Sequence, residues 1–143
     1  MANDISDPVG IVVAELTTSW LSANTDSITP VIAAIYEYKQ TYSRNNDYVF
    51  VFAGVHSEKP IGIGFDSFDY TDTVRVDIRT TVSRAHLYKL INEVHRIVYA
   101  KRKGLSPYGL LSINEENQDL SDKSIQLWRF MMNVKLWRVI QTI

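Results

Sequence analysis

The sequence predicts an α+β fold. We expect an antiparallel sheet of about four strands, two main helices packed on one of its faces, and a long hairpin arm or loop. Two observations favour this class. Residues 124–140 alternate between apolar and other residues, which is typical of a strand, whereas residues 87–98 carry apolar residues at helical spacing.

The composition is that of an ordinary globular protein. The 143 residues suit a single domain, 1–143, with a mobile N-terminus, and 45% of them are hydrophobic. The formal net charge of -1 argues against a general nucleic-acid binder, which usually has a basic excess. The absence of cysteine excludes disulfides, thiolate metal sites and a cysteine nucleophile. The first residues lack the pattern of a signal peptide, and no apolar run reaches the roughly 18 residues of a membrane span.

The first half of the chain predicts a helix and then extended segments. Residues 8–23 have helical periodicity and begin with a proline, which suits a first helical turn. Residues 24–46 fit a helix or a strand, and we favour an extended conformation. Residues 48–53, YVFVFA, predict a buried strand that Gly54 ends. Residues 56–72 are rich in turn residues and aromatics, and they predict the arm.

The second half predicts a strand, a helix and two more strands. Residues 73–82 alternate as a half-buried strand, and Ser83 is placed to cap the helix that follows. The last turn of that helix is predicted to hold the three basic residues before Gly104, which is the expected stop. Residues 108–116 and 124–140 predict strands separated by a polar turn. In the last strand, one face is expected to enter the core: Trp128, Phe130, Met132, Val134 and Leu136.

The three histidines do not predict a shared site. His86 and His95 are nine residues apart on the predicted helix, so they point to opposite sides and cannot hold one metal ion together. We interpret both as helix-surface residues. His56 lies in the arm and has no partner that the sequence reveals.

Charged residues alternate along the strand at residues 73–82. Arg75, Asp77 and Arg79 share one face, with about 7 Å between successive Cα atoms, which suits a charged ladder. They are either part of an interface with another subunit or a solvated sheet face with local ion pairs. The sequence leaves both interpretations open.

Three aspartates in the arm are the nearest approach to a metal site. Asp66, Asp69 and Asp72 lack the spacing of a calcium-binding loop. One interpretation is that they are the metal-binding carboxylates of a metal-dependent nuclease, and the other is an acidic loop without a metal ion. The chain also lacks a GxSxG motif and a phosphate-binding glycine loop. We therefore expect no enzyme, no catalytic residue, no metal and no cofactor.

Residues on the last strand and on the arm are candidates for an interface. Arg129, Met131 and Trp137 share the strand face opposite the predicted core, and these residue types are enriched at interfaces. The alternative for Met131 and Trp137 is a second small core under the arm. The aromatic residues of the arm are further candidates: Phe65, Phe68 and Tyr70.

The stretch VRVDIRTTVSRAHLYKLINEVHRIV, residues 74–98, resembles a pattern in the small neck and tail-completion proteins of tailed viruses of bacteria and archaea. There a charged strand leads through a Ser-Arg cap into an amphipathic helix. The preceding DYVFVFAG and the closing tryptophan-rich strand look similar too. The resemblance covers residues 28–143, and the class it favours is the tail terminator of long-tailed phages.

The resemblance implies a structural virion protein, assembled in the host cytoplasm. It implies a homo-hexameric ring on the head-proximal end of the tail tube, which ends tube polymerisation and docks to the head–tail connector. DNA would pass through the lumen only as cargo, and no membrane would be involved. The charged strand would contact neighbouring subunits or the lumen. The long arm departs from the pattern and favours the alternative of another neck component, a head-completion or stopper protein. A small host-encoded binding module is a further alternative.

Overall fold

The computed structural model describes residues 7–25, 27, 29–36, 46–61, 67–113 and 117–141, and the elements below lie within these ranges. No helix in this part of the chain is long and apolar enough to cross a membrane. The elements, in chain order, are α1 (Pro8–Ser19), a 3-10 turn (Ser22–Thr25), β1 (Val31–Ile35), β2 (Tyr48–Ile61), β3 (Ser67–Thr80), α2 (Arg84–Ala100), β4 (Leu110–Ile113), β5 (Gln118–Asp119), a second 3-10 turn (Lys123–Ile125) and β6 (Trp128–Gln141).

The α+β class is confirmed, but the sheet has six described strands and is mixed. Its order is β1-β2-β3-β6-β4, and the short β5 pairs with β6 beside β4. β1 runs parallel to β2, whereas the other pairs are antiparallel. The expectation of about four antiparallel strands was therefore wrong in number and in direction. β1 lies in the segment whose conformation the sequence left open, and β5 lies in the predicted polar turn.

Both helices pack on the same face of the sheet, as the sequence predicts. Alternate residues of β3 and β6 point into this core because successive side chains of a strand face opposite ways. The fully buried core residues at the centre of these strands are Val74, Val76 and Ile78 on β3 and Met132, Val134 and Leu136 on β6. The helices contribute buried residues to the same core: Val9, Val12 and Leu16 from α1, and Leu87, Leu90, Val94 and Ile97 from α2. Trp128 and Phe130 are partly buried against this core.

β2 does not end at Gly54, as the sequence predicted, but continues to Ile61 through a β-bulge. The pairing register with β3 shifts between Ala53 and His56. The bulge adds one residue to β2, so the alternation of its side chains changes phase at this point. That phase change hides the second half of the strand from a search for regular alternation. The arm is consequently built of strands, with β2 and β3 paired up to Ile61 and Ser67.

Gly54 is required at the bulge because a side chain there would meet the backbone of β3. A Cβ atom built on Gly54 would lie 2.3 Å from the carbonyl oxygen of Thr73. We expect Gly54→Ala to lower the free energy of unfolding by about 1–3 kcal/mol, since a paired strand cannot easily move aside. Chemical denaturation measures the loss. Gly109→Ala is the matched control because its Cβ would find its nearest neighbour at 3.9 Å. Equal stability of the two variants would contradict the argument.

The start of α2 confirms the predicted cap and corrects the interpretation of His86. The Ser83 hydroxyl accepts a hydrogen bond from the His86 N–H at 3.1 Å. His86 itself is buried, with its Nε2 2.7 Å from a carboxylate oxygen of Asp47. The hydroxyl of Thr80 donates to the other oxygen of Asp47 at 2.7 Å. His86 was therefore wrongly placed on the surface: it joins the helix to β3 and to the start of β2.

Both helices end slightly earlier than predicted. α2 ends at Ala100, so the three basic residues 101–103 lie in the turn after the helix and not in its last turn. α1 ends at Ser19, and the extended backbone of Trp20 takes the chain away from the helix axis. The N–H of Leu21 donates to Glu93 at 2.7 Å, and Arg96 donates to the carbonyl of Ser19 at 2.7 Å. The end of α1 is thus held by side chains of α2.

Candidate functional site

The sheet face opposite the helices, called the open face below, carries most of the candidate residues. Pairing aligns its side chains in rows across β2, β3 and β6. The row Phe50–Asp77–Met131 crosses the end opposite the arm, called the body end below, and the row Ser57–Thr71–Trp137 crosses the arm. None of the helix-to-sheet core lies on this side, because the buried core residues of β3 and β6 alternate with those of the open face.

A buried carboxylate between two arginines occupies the body end of the open face. Asp77 is fully buried, and it accepts hydrogen bonds from Arg79 at 2.8 and 3.1 Å. Arg129, on the neighbouring strand, donates to both oxygens of Asp77 at 3.0 Å. Four charge-assisted hydrogen bonds of this kind compensate the cost of removing the carboxylate from water. The structure thus brings together three of the predicted residues, as an ion-paired cluster that joins β3 to β6.

Arg75 does not join this cluster. It is exposed on the same face of β3, in the row of Phe52 and Asn133. Of the predicted charged ladder, one residue therefore faces outward and two lie in a local ion-paired network. The local ion pairs are those of the second interpretation, and contact of this face with another subunit stays a prediction.

The arm aromatics are divided by the alternation of β3. Tyr70 lies on the side of the helices and is buried, with its ring edge-on to His56 at 5.5 Å between centroids. Only 8% of Tyr70 is exposed in the single chain, and its role at an interface stays a prediction. Phe68 belongs to β3 and pairs with Pro60 and Ile140, but its side chain lies outside what the structure describes, as does the whole of Phe65.

Met131 and Trp137 both lie on the open face and are half-buried. The ammonium of Lys135 lies 4.8 Å from the centroid of the Trp137 ring. A second apolar cluster exists on this face, but it lies on the side of β1 and not under the arm: Ile35, Tyr48 and Phe50, with Ala33 and Phe52. The described contacts therefore do not form the alternative that the sequence left open, a second small core around Trp137.

Trp137 lies beside two strongly exposed apolar residues. Leu110 is its direct cross-strand neighbour and is 55% exposed, and Val55 is 68% exposed. Val55 and Trp137 line one shallow depression of the arm, together with polar residues of β2, β3 and β6. We call Val55, Leu110 and Trp137 the arm strip. Exposed apolar side chains grouped on one surface are typical of contact sites.

A hydrogen-bonded cluster that the sequence did not reveal lies at the base of the arm, on the helix side. The ring nitrogens of His56 face two carboxylates, Asp72 through Nδ1 and Glu58 through Nε2, the latter at 2.8 Å. The hydroxyl of Tyr108 donates to Asp72, and the guanidinium of Arg138 lies 5.7 Å from the Tyr108 ring centroid. Both nitrogens of His56 face acceptors, so the arrangement favours the doubly protonated ring. The cluster ties the arm to the loop before β4.

The hydrogen bonds to Glu58 and Asp72 raise the pKa of His56 above its ordinary value. A raised pKa gives stability that is present below the unfolded-state pKa of about 6.5 and is lost as pH rises through the folded-state pKa. We expect His56→Gln to be destabilising at acidic pH, with a difference from the parent protein that shrinks as the pH rises. Denaturation midpoints measured across this range test the trend.

His95 is the matched control, with the opposite sign. Burial lowers the pKa of His95, so its charging opposes folding as pH falls. His95→Gln should therefore gain stability relative to the parent protein at acidic pH. If the stability of both variants relative to the parent protein changed with pH in the same direction, the assignment of His56 would be contradicted.

The geometry of the aspartates does not favour the metal-site alternative. Asp69 lies on the open face of the arm, whereas Asp72 lies on the helix side, in the His56 cluster. Two carboxylates on opposite faces of one strand do not converge on one ion. Asp66 lies outside the described residues. In the part of the chain that the structure describes, no group of three or more histidines and acids is placed to hold a metal ion.

Comparison of the sequence with protein-family models finds no match, and comparison with curated proteins finds none either.

Proposed function

We propose that the chain is a structural virion protein, a tail terminator that forms a homo-hexameric ring on the head-proximal end of a tail tube. The observation that carries the proposal is the open face. It is one whole side of the sheet against which neither described helix packs, with arginines at one end and an exposed apolar strip on the arm. Such a surface is suited to contact with other protein chains.

The proposed action is geometric and breaks no bond. A ring has contacts between unlike surfaces that close on themselves. One side of the ring matches the end of the tail tube and prevents further subunits from adding, while the other side meets the head–tail connector. DNA passes through the lumen as cargo. A net charge of -1 is compatible with this role, because the chain need not hold the DNA.

The arm supports a second candidate within the same group, a head-completion or stopper protein. Its paired strands extend β2 and β3 beyond the bulge at Gly54, and they provide a projecting surface for a neighbouring ring. The two candidates differ in partner. A terminator binds the ends of tail tubes made by the tube protein of its own virus, whereas a stopper binds the connector without the tube.

The mass of the purified protein in solution, with electron microscopy of the same sample and of mixtures with tail tubes, tests the proposal. We expect rings of about six copies, or rings that appear at tube ends when tubes are added. A protein that stays monomeric and binds neither tubes nor connector would overturn the proposal.

We expect Trp137→Ala to weaken ring formation or tube-end binding by about tenfold or more, since buried tryptophans are frequent hot spots of interfaces. Light scattering or a pelleting assay with tubes measures the loss. Tyr99→Ala is the control, because Tyr99 is an exposed aromatic residue on α2, away from the open face. The stability of both variants is measured alongside, so that unfolding is distinguished from lost contact. Equal assembly of the two variants would remove Trp137 from the interface.

A further inference from the structure

The His56 cluster holds the outer strand of the arm through a single imidazole. His56 is the first paired residue of β2 after the bulge, and its cross-strand partner is Asp72 of β3. Glu58 lies two residues further along β2, so its side chain leaves the same face of the strand. The imidazole lies between the two carboxylates, with Nδ1 at Asp72 and Nε2 2.8 Å from Glu58. It can donate to both of them only when each of its nitrogens carries a proton.

The two carboxylates differ in their access to water. The side chain of Asp72 is 7% exposed, and its second oxygen accepts a hydrogen bond from the hydroxyl of Tyr108, which is buried. The side chain of Glu58 is 41% exposed. A buried carboxylate that loses a donor stays unpaired, whereas an exposed one takes water in its place. The contact of His56 with Glu58 is therefore the one that costs less to open.

The other titratable and charged groups around the cluster keep their charge near neutral pH. Tyr70 of β3 presents its ring edge-on to His56, and the guanidinium of Arg138, on β6, lies 5.4 Å from the Tyr70 ring and 5.7 Å from the Tyr108 ring. Burial, above all, raises the pKa of Tyr108, and the negative charge of Asp7 adds to this effect. The Tyr108 hydroxyl thus keeps its proton over the range in which an imidazole titrates. His56 is the group of the cluster whose charge changes there.

We propose that His56 and Glu58 form a proton-dependent clasp on the outer edge of the arm. With both nitrogens protonated, His56 donates to both carboxylates and the clasp is closed. When the ring gives one proton to the solvent, Nδ1 keeps its hydrogen for the buried Asp72, and the lone pair of Nε2 faces the carboxylate of Glu58. Two acceptors repel each other, so Glu58 turns to water and the clasp opens. The hydrogen bond from Tyr108 to Asp72 is retained in both states.

The clasp acts on one edge of the arm. Residues 56–61 of β2 pair with β3 on one side, and no other strand in the described part of the chain pairs with them. The hydrogen bonds to Glu58 and Asp72 raise the pKa of His56. The clasp is therefore closed below the ordinary value of about 6.5 and opens as pH rises through the higher value of the folded protein. This inference goes beyond the proposed function, because it holds whether or not the chain forms a ring.

Hydrogen exchange of the full-length protein between about pH 5 and about pH 8 tests the clasp, with each rate corrected for the intrinsic effect of pH. We expect the protection of residues 57–61 to fall about threefold to fivefold as pH rises, since a partly exposed ion pair contributes little free energy. The protection of residues 105–111, which hold Tyr108, should not change. A fall of equal size in both segments would overturn the proposal, because it would show that Asp72 is released as well.

Glu58→Gln separates the clasp from a simple contact. An amide can accept a hydrogen bond from a protonated Nε2 and can donate one to its lone pair, so this variant should keep residues 57–61 equally protected across the range. Asp69→Asn is the matched control, since Asp69 lies on the same arm but on the open face, and it should retain the pH dependence of the parent protein. The same pH dependence in Glu58→Gln as in the parent protein would refute the clasp.

The nitrogen chemical shifts of the His56 ring give an independent readout in the parent protein. At alkaline pH they should place the remaining proton on Nδ1, the nitrogen that faces Asp72. A proton found on Nε2 would overturn the proposal, because Glu58 would then keep its donor and the buried carboxylate would lose one.

Discussion

Asp77→Ala is expected to lower the free energy of unfolding by about 3 kcal/mol, near the lower end for removal of one partner from a buried ion pair. The lower end applies because Arg79 and Arg129 are partly exposed, at 16% and 28% of their side chains, so water relieves some of the charge left behind. Guanidinium denaturation followed by circular dichroism measures the change.

Arg75→Ala is the control for the charged cluster. It is exposed on the same face of the same strand, two residues away, and surface substitutions of this kind usually change stability by about 0.5 kcal/mol or less. Replacing the whole cluster by apolar residues (Asp77→Leu, Arg79→Met, Arg129→Met) should recover much of the loss, since no uncompensated charge then remains. A cost for Arg75→Ala as large as that for Asp77→Ala would show that charge on this face in general, and not the cluster, determines stability.

Glu93→Gln is expected to cost about 2–3 kcal/mol, because Glu93 is buried and accepts hydrogen bonds that an amide cannot all accept. Its two oxygens take the N–H of Leu21, the amide of Asn24 at 3.0 Å and two N–H groups of Arg96. The NH2 group of glutamine would instead face donors. The segment that leaves α1 would lose its attachment to α2, and hydrogen exchange in residues 20–25 measures this loosening directly.

The effect of Glu93 depends on pH. Burial raises the pKa of Glu93, but the hydrogen bonds from Arg96, Leu21 and Asn24 outweigh burial and lower the pKa below its ordinary value. A lowered carboxylate pKa gives stability that is present above the unfolded-state pKa of about 4.3 and is lost as pH falls through the folded-state pKa. The difference between the parent protein and Glu93→Gln should therefore shrink in acid.

Glu15→Gln is the control for Glu93→Gln. Glu15 lies on α1 and accepts a hydrogen bond from Ser19, and Lys101 is 3.6 Å away. A surface pair of this kind contributes about 1 kcal/mol or less. A pH-independent loss in Glu93→Gln would contradict the assigned role of the carboxylate.

The sequence predicts best those elements whose periodicity is regular. α2 and β6 have long uninterrupted patterns, and their buried faces are found as expected, from Leu87 to Ile97 and from Met132 to Leu136. β2 was cut short because the bulge at Gly54 changes the phase of alternation, and a single-residue shift exchanges the two faces. β5 is only two residues long, which is too short for any period to appear.

The candidate site was predicted in its members but not in its arrangement. Arg79 and Asp77 share a strand face by simple alternation, but Arg129 meets them only because β3 and β6 pair in a register that places it opposite Arg79. That register depends on partners far apart in the chain. The same reason hid the His56 cluster, which joins β2 and β3 with the loop before β4. His86 also looked exposed because its partner, Asp47, lies 39 residues earlier.

The uninterrupted pairing of β3 with β6 has a mechanical consequence. These strands match residue for residue over their whole length, from Ser67–Gln141 to Thr80–Trp128, whereas the pairing of β2 with β3 is broken by a bulge. A pull along the arm would load the ladder between β3 and β6 in shear, so that many hydrogen bonds share the force instead of opening one after another. The bulge interrupts the sheet on the β2 side alone, between Ala53 and His56. Under such a pull the ladder between β3 and β6 would resist over more consecutive residue pairs than the interrupted ladder between β2 and β3.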